Sequence, residues 1–440
     1  MIDGLHLQRE RPAIVLLVFL HAAVCCVSLI CVAYLNPAYH ITFDPSRLLV
    51  PAAAVAAFAL VGLLFAFADF SIGYFAGFYF YGMVAGYIWE NFFSEFFYNH
   101  QLSALSAAAS AVAFLIPALF ITSPVRRIRI MSPEAFDRLL TSMLLLSLAT
   151  VVLAASYNFK FVSIKNIYDF REELTFPPVL NYLLTITSST LLPFLFACYV
   201  TRGNHWRAGG VLLLLMFYYP ITLSKLTLFA PAWLLIIAAL SQVLRPRLTV
   251  IVSLLGPLVV GLLLFALFEA QLASYTATIP YFEIVNFRMV AIPSIALDFY
   301  HDFFARHDPT YFCQLRILKM LIPCPYREPL SIVIFNEYGV GGNFNASLFA
   351  TEGVASVGPL LAPISVFGCG LVIALANRLS ADLPPRFVLI SAAILPQILL
   401  NVPLSITLLT HGGAFLFMLW YLTPRTMFER QASTQVALAH

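Results

Sequence analysis

Residues 12–35, PAIVLLVFLHAAVCCVSLICVAYL, form an apolar run that contains no Asp, Glu, Lys or Arg. A helix of roughly 20 mostly apolar residues is long enough to cross the hydrocarbon core of a bilayer. The run is longer than the core of a signal peptide, and no clear small-residue cleavage site follows it. We therefore expect a retained first membrane helix. Arg9 and Arg11 precede the run, which predicts a cytoplasmic N-terminus.

The composition of the whole chain agrees with this start. Of the 440 residues, 61% are hydrophobic and 10% are charged, against roughly 25% charged residues in a typical soluble domain. One soluble core cannot bury that much apolar surface, so the predicted fold class is an all-α polytopic membrane protein. The net charge of +3 is too small to indicate a nucleic-acid partner.

Apolar segments recur along the chain and predict about 12 transmembrane helices. The least regular part is 209–242, where Tyr218-Tyr219-Pro220 breaks a stretch that is long for one helix and tight for two. The predicted spans lie at about 12–35, 48–68, 70–89, 102–122, 139–156, 181–200, 209–222, 225–242, 249–268, 355–377, 385–403 and 406–423.

The arginines predict how these spans are oriented, because cytoplasmic loops carry an excess of Lys and Arg. With 209–242 counted as two spans, nearly every inside loop holds at least two arginines and both termini are cytoplasmic. The chain then divides into helices 1–9 over residues 1–268, with an outer loop at 157–181, a large outer loop at 269–354, and helices 10–12 with a cytoplasmic tail at 355–440.

The 269–354 segment is too long for an ordinary connector, and long ordered loops are usually functional. Its first half mixes apolar, aromatic and charged residues, which predicts helices that lie on the membrane or dip into it. Its prolines and glycines predict a folded lid. Cys313 and Cys324 lie in a polar stretch; they form a disulfide if the loop is in an oxidising compartment, or remain two free thiols.

Lys and Arg are usually enriched in cytoplasmic loops, so cations on the outer side are expected to have specific partners. Phosphate groups are natural partners for them. Lys225 lies between two apolar half-segments, where it faces a polar cavity or snorkels to the interface. Arg288, flanked by apolar residues, needs an anion, either a substrate or the nearby Glu283 or Asp298. Arg171 has acidic neighbours and also fits a solvated loop.

Two sets of acidic and histidine residues invite a chemical interpretation. Glu352 lies at the start of the tenth predicted span. It is either a general base or a glutamate that is favoured by the dipole at a helix N-terminus. His301-Asp302 and His307-Asp308 match no standard zinc spacing. We expect the two His-Asp pairs to lie in a solvated loop and expect no metal or other cofactor.

With these features the chain resembles the bacterial O-antigen polymerase family, also called oligosaccharide repeat-unit polymerases. The resemblance covers most of the chain as topology, with many spans, a basic residue between two close mid-chain helices and one large outer loop. Two local stretches are also similar. One is Thr222-Leu-Ser-Lys225, where a lysine replaces the family's common arginine. The other runs from Asn345-Ala-Ser347 through Glu352 to Gly358.

The resemblance implies a glycosyltransferase of the bacterial inner membrane. Such enzymes transfer a growing glycan from an undecaprenyl diphosphate carrier to another lipid-linked oligosaccharide at the periplasmic face, producing O-antigen or exopolysaccharide. A chain-length regulator and a flippase are the expected partners. The diphosphate needs cations and the acceptor hydroxyl needs a base. The candidate catalytic residues are Glu352, Glu337 and Glu283, and the candidate substrate-binding residues are Lys225, Arg288, Arg171, Arg327, Asn345 and Tyr338.

Two other functions remain open. A flippase or transporter of lipid-linked oligosaccharides handles a similar ligand, but transporters often have paired broken helices, and this sequence predicts one break, at 218–225. An O-antigen ligase uses the same donor with another acceptor, and the sequence does not separate it from a polymerase.

Overall fold

A computed structural model describes residues 2–128, 131–163, 167, 170, 174–315, 318, 322–340 and 344–428, with side chains from Glu10 onward. The chain is 76% helical. The extended structure in the described ranges is an isolated bridge between Ile41 and Ser94. The predicted all-helical class is therefore confirmed.

Eight helices are long and apolar enough to cross a membrane. Many of their large apolar side chains point outward, including Leu16, Val152 and Leu360. An outward apolar surface of this extent is typical of helices that face lipid. The eight helices are Glu10–Leu35, Leu49–Phe67, His100–Phe120, Pro133–Ala155, Pro178–Thr201, Lys225–Val243, Pro246–Glu269 and Phe349–Ser380.

The other four predicted spans are helical, but each is interrupted, short or less apolar. Residues 70–89 form one helix, whereas the last two predicted spans each divide into two short helices. The observed bounds are Ile72–Glu90, His205–Met216 with Tyr218–Thr222, Pro385–Ser391 with Leu395–Leu399, and Leu404–Leu409 with Gly413–Leu422.

The chain forms two compact units. Unit 1 contains residues 1–121, 247–375 and 397–405, and unit 2 contains residues 122–246, 376–396 and 406–440. Each unit is built from segments distant in sequence, so neither the large loop nor the last helices form a separate compact body.

Unit 1 is organised around the helix Ile72–Glu90, in which every residue is buried. Ser71 caps this helix by accepting a hydrogen bond from the Tyr74 amide at 3.0 Å. Neighbouring helices approach closely at its glycines. A Cβ atom at Gly86 would lie 2.5 Å from Ser294 Oγ, so any other residue here would force the Ser294 side chain to move.

The loops of unit 1 meet at one end of its helices. The amide of Glu95 donates to the carbonyl of His40 at 2.9 Å, which joins the loop after the first helix to the loop after Ile72–Glu90. At the opposite end, Arg247 donates to the carbonyls of Phe65 and Ala66 at 3.4 and 3.1 Å.

Residues 275–306 of the predicted large loop form a continuous run of helix in unit 1. It comprises Tyr275–Phe282, a π-helical stretch Glu283–Ala291, and Ile292–Arg306. The run packs against the first helix and against Ile72–Glu90, so protein rather than lipid covers much of it. The expectation that His301-Asp302 lies in a solvated loop is wrong, because both side chains are 3% exposed.

Unit 2 also has two distinct ends. At one end, Arg202 forms an ion pair with Asp137 at 2.7 Å. At the other end, the amide side chain of Asn158 donates to the carbonyls of Pro220 and Ile221 at 3.1 and 2.9 Å.

Candidate functional site

The predicted break in the middle of the 209–242 stretch is present, and it lies in unit 2. Tyr218–Thr222 ends at Leu223, whose φ of 46° is in the left-handed region, and Lys225 is the first residue of the next helix. A left-handed leucine is uncommon and marks a backbone that its surroundings enforce. Leu223 is fully buried, whereas Lys225 is half-buried.

Residues 158–162 hold this break in place. The amide of Lys160 donates to the carbonyl of Pro220 at 2.9 Å, and Asn158 satisfies the same turn through its side chain. The hydroxyl of Tyr219 donates to the carbonyl of Val162. The last carbonyls of Tyr218–Thr222 are therefore bonded by this segment instead of by a continuing helix.

A small cavity of about 150 Å³ lies in the same segment, with Asn158, Lys160, Phe170 and Phe176 among its lining residues. The Lys160 ammonium sits 5.6 Å from the centre of the Phe170 ring. A cation beside an aromatic ring and a polar wall can bind a phosphate or a sugar. Arg171, the candidate predicted in this loop, lies outside the described residues.

Glu352 is in unit 1 and is buried within the π-helical stretch Phe349–Ala355. One carboxylate oxygen accepts from the amide and hydroxyl of Ser405, each at 3.0 Å, and the other accepts from Thr351 Oγ1 at 2.6 Å. Single π-helical stretches often occur at functional sites. Three donors hold this carboxylate firmly, which suits an anchor better than a mobile base.

Residues 310–315, here called the strap, contain Cys313 and lie against the π-helical stretch Phe349–Ala355. Cys313 and Cys324 form a disulfide, so of the two alternatives left open by the sequence the bonded one is correct. The amide of Thr310 donates to Ala355 O at 2.7 Å, and Gln314 Nε2 donates to Thr351 O at 3.1 Å. The strap therefore bonds directly to the backbone around Glu352.

Glu337 and Tyr338 lie together at the loop end of unit 1. Glu337 is exposed and forms an ion pair with Arg306 at 3.6 Å. The hydroxyl of Tyr338 donates to Asp302 at 2.5 Å, and Asp302 also pairs with Arg306 at 2.5 Å. Burial and the hydrogen bond to Asp302 raise the pKa of Tyr338.

The remaining candidates in unit 1 are dispersed. Glu283 accepts a hydrogen bond from Asn36 at 3.1 Å. Arg288 is half-buried in the Glu283–Ala291 π-helical stretch, and Arg327 and Asn345 are exposed. Within the described ranges, no hydrogen bond or ion pair joins the three candidate carboxylates to one another. Lys225 belongs to the other unit.

The sequence analysis named Asp298 as a possible partner of Arg288 and did not predict that, among the described residues, it is the most strongly buried acidic group. Asp298 is fully buried and accepts from Ser94 Oγ at 2.7 Å and from the hydroxyl of Tyr98. Desolvation raises the pKa of Asp298 to about 6. Burial also lowers the pKa of the neighbouring His301 to about 3, so this imidazole is neutral at physiological pH.

Glu90 belongs to the same cluster. It is 1% exposed, and neither carboxylate oxygen has a hydrogen-bond partner. Two features of the sequence could have indicated this cluster. One is Glu90, an acidic residue at the end of the apolar run 72–89; the other is the pair Asp298 and Asp302, one helical turn apart in another apolar run.

Comparison with known proteins gives no family for this chain, since no family model, curated protein or solved structure matches it.

Proposed function

We propose that this chain is a polytopic membrane glycosyltransferase that polymerises undecaprenyl-diphosphate-linked oligosaccharide repeat units on the non-cytoplasmic side. The observation that carries the proposal is the helix break before Lys225. The break makes Lys225 the first residue of a helix, at the positive end of the helix dipole. A site with both features favours a diphosphate.

Twelve crossings are supported by the way the shorter helices traverse their units. The pair His205–Met216 and Tyr218–Thr222 leads from the Arg202–Asp137 end of unit 2 to the Asn158 end. The short helices from Pro385 to Leu422 begin and end at the same end of unit 2. Asp382, just before them, forms an ion pair there with Arg425, just after them. Irregular backbone inside a membrane is tolerated where protein covers it.

The charges support the orientation. In unit 2 the Arg202–Asp137 end also carries Arg386, which bonds to Ser241 at the end of the Lys225 helix. The opposite end carries the Lys225 break. Cytoplasmic ends are rich in arginine, and this supports a position of the break on the outer side. A disulfide within the large loop of unit 1 suits an oxidising compartment.

The proposed reaction needs a base for the acceptor hydroxyl and a cation for the leaving diphosphate. An acceptor hydroxyl oxygen attacks the anomeric carbon of the donor, the bond from that carbon to the diphosphate oxygen breaks, and a base takes the hydroxyl proton. Lys225 stabilises the charge on the leaving diphosphate.

A flippase of the same lipid-linked sugars is the second candidate, and one observation favours it. Beyond the break at Lys225, the helices of the last two predicted spans are interrupted at 392–394 and at 410–412. Discontinuous helices are common at the substrate sites of transporters. The structure therefore weakens the sequence-based argument that a single break disfavours transport.

One reconstitution separates these functions. The purified protein is placed in vesicles with a lipid-linked repeat unit, and products are resolved by size. A ladder of lengths indicates the polymerase, single transfer to a different acceptor indicates a ligase, and unchanged lipid that moves across the vesicle membrane indicates a flippase. Lys225→Ala should abolish the ladder, whereas Arg138→Ala, which changes an exposed arginine at the opposite end of unit 2, should retain it.

A further inference from the structure

Glu90, Asp298 and His301 form a buried polar cluster that the proposed glycosyl transfer does not use. Glu90 ends the central helix of unit 1, and Asp298 and His301 lie one turn apart on Ile292–Arg306. All three are at most 3% exposed.

The cluster has too little positive charge for its carboxylates. Within the described part of the chain, no Lys, Arg or His lies within ion-pair distance of Glu90 or Asp298; Arg306 pairs with Asp302 and Glu337 instead. His301 is neutral, and its Nε2 has no hydrogen-bond partner. Two buried carboxylates without a countercharge cannot both stay ionised at low cost.

The two carboxylates differ in their surroundings, and this difference decides which one holds a proton. Asp298 accepts hydrogen bonds from Ser94 and Tyr98, which favour its charged form. Glu90 receives none, and the charge of Asp298 acts on it. The uncharged form is therefore favoured at Glu90.

We infer that Glu90 and Asp298 form a buried proton-binding site, in which Glu90 is a neutral carboxylic acid at neutral pH and Asp298 takes up a further proton on acidification. The titratable groups that face this site are Asp302 and His301 from the Asp298 helix, Tyr98 and His100 from the neighbouring loop and helix, Tyr87 from the Glu90 helix, and Cys26 from the first helix.

A route for the proton is present in the hydrogen bonds. The hydroxyl of Tyr98 bonds to Asp298, and Tyr98 is half-buried at the loop end of unit 1. The side-chain oxygen of Asn91 lies 2.9 Å from the Tyr98 hydroxyl and 2.9 Å from His100 Nδ1, and this carboxamide oxygen is an acceptor that does not relay a proton. Tyr98 can therefore pass its hydroxyl proton to Asp298 and take up another at the loop end of unit 1.

Infrared difference spectroscopy of the full-length protein in lipid tests this inference without any substrate. At neutral pH the wild type should show a carboxylic acid carbonyl band that Glu90→Gln removes. A second such band should grow on acidification from about pH 8 to pH 5 and be lost in Asp298→Asn. Glu283→Gln, which changes a carboxylate bonded to Asn36 at 3.1 Å, should leave both bands in place.

Two results would overturn the inference. One is a neutral-pH band that persists at full strength in Glu90→Gln; the other is a spectrum of Asp298→Asn that acidification changes just as it changes the wild type. If Glu90→Gln does not fold, Glu90→Asp should keep the neutral-pH band at a shifted frequency, and its absence there would also count against the site.

Discussion

The buried carboxyl of Asp298 should make the fold less stable as pH rises, and Asp298→Asn should remove this dependence. Burial raises the pKa of Asp298 in the folded chain from 3.8 to about 6. The folded state therefore binds the proton more tightly than the unfolded state. The stabilisation from this group is complete below about pH 4 and is lost as the pH passes through about 6.

The size of the effect follows from the same two pKa values. A pKa that moves from 3.8 to about 6 corresponds to about 3 kcal/mol of stability lost between acidic and neutral pH. Asparagine carries no charge, but it presents one acceptor to two donors, Ser94 and Tyr98, at a cost of about 1 kcal/mol. The variant should be slightly less stable than the wild type near pH 4 and about 2 kcal/mol more stable above pH 6.

The assay is the apparent unfolding temperature of the detergent-solubilised protein, measured at one scan rate across this pH range. Burial lowers the pKa of His301, so protonation of this residue also destabilises the fold as the pH falls. His301 is present in both proteins, and its contribution cancels in their difference. Asp308→Asn, which changes an exposed carboxyl nearby, serves as the matched control. A difference between wild type and Asp298→Asn that stays constant from pH 4 to pH 8 would refute the reasoning.

Three further predictions concern the break, the strap and the helix packing. Lys225→Ala should abolish polymer formation in the vesicle assay while Lys225→Arg preserves it, because the site needs a cation for the diphosphate; equal activity of the alanine variant would remove Lys225 from the site. Replacing both Cys313 and Cys324 with serine should lower stability by about 2–3 kcal/mol, since the disulfide closes a short loop; an unchanged unfolding temperature, or free thiols in mass spectrometry of the unreduced wild type, would contradict this. Gly86→Ala should destabilise unit 1 by about 1–3 kcal/mol because its Cβ would lie 2.5 Å from Ser294 Oγ; adding Ser294→Gly should restore part of the loss, and no recovery would show that the clash lies elsewhere.

The helical class and most helix positions could be predicted from the sequence because a membrane span is a local signal. Each apolar run specifies a helix wherever it lies, and Tyr218-Tyr219-Pro220 marks the following break by the local geometry of proline. In the last two spans the connection at 400–403 and the break at 410–412 also had local signals, in Asn401, Pro403 and Gly412. They were missed because the overall hydropathy of the run outweighed them.

The acid cluster could not be predicted in the same way. Ser94 and Asp298 are 204 residues apart in the chain, and nothing local indicates that they bond. A polar residue in an apolar run looks the same whether its partner is water or another buried group. The interpretation of His301-Asp302 as solvated failed for this reason, and the positions of Glu283, Glu337 and Glu352 relative to one another were equally inaccessible.

The central claim is that the Lys225 break and the large loop of unit 1 lie on the non-cytoplasmic side, and cysteine labelling in intact cells tests it most directly. With the unpaired cysteines replaced by alanine, single cysteines are introduced at the exposed positions Lys160, Asn345 and Arg138. The account predicts that a membrane-impermeant thiol reagent labels Lys160→Cys and Asn345→Cys in intact cells and Arg138→Cys only after permeabilisation. Labelling of Arg138→Cys in intact cells, with the other two protected, would contradict it.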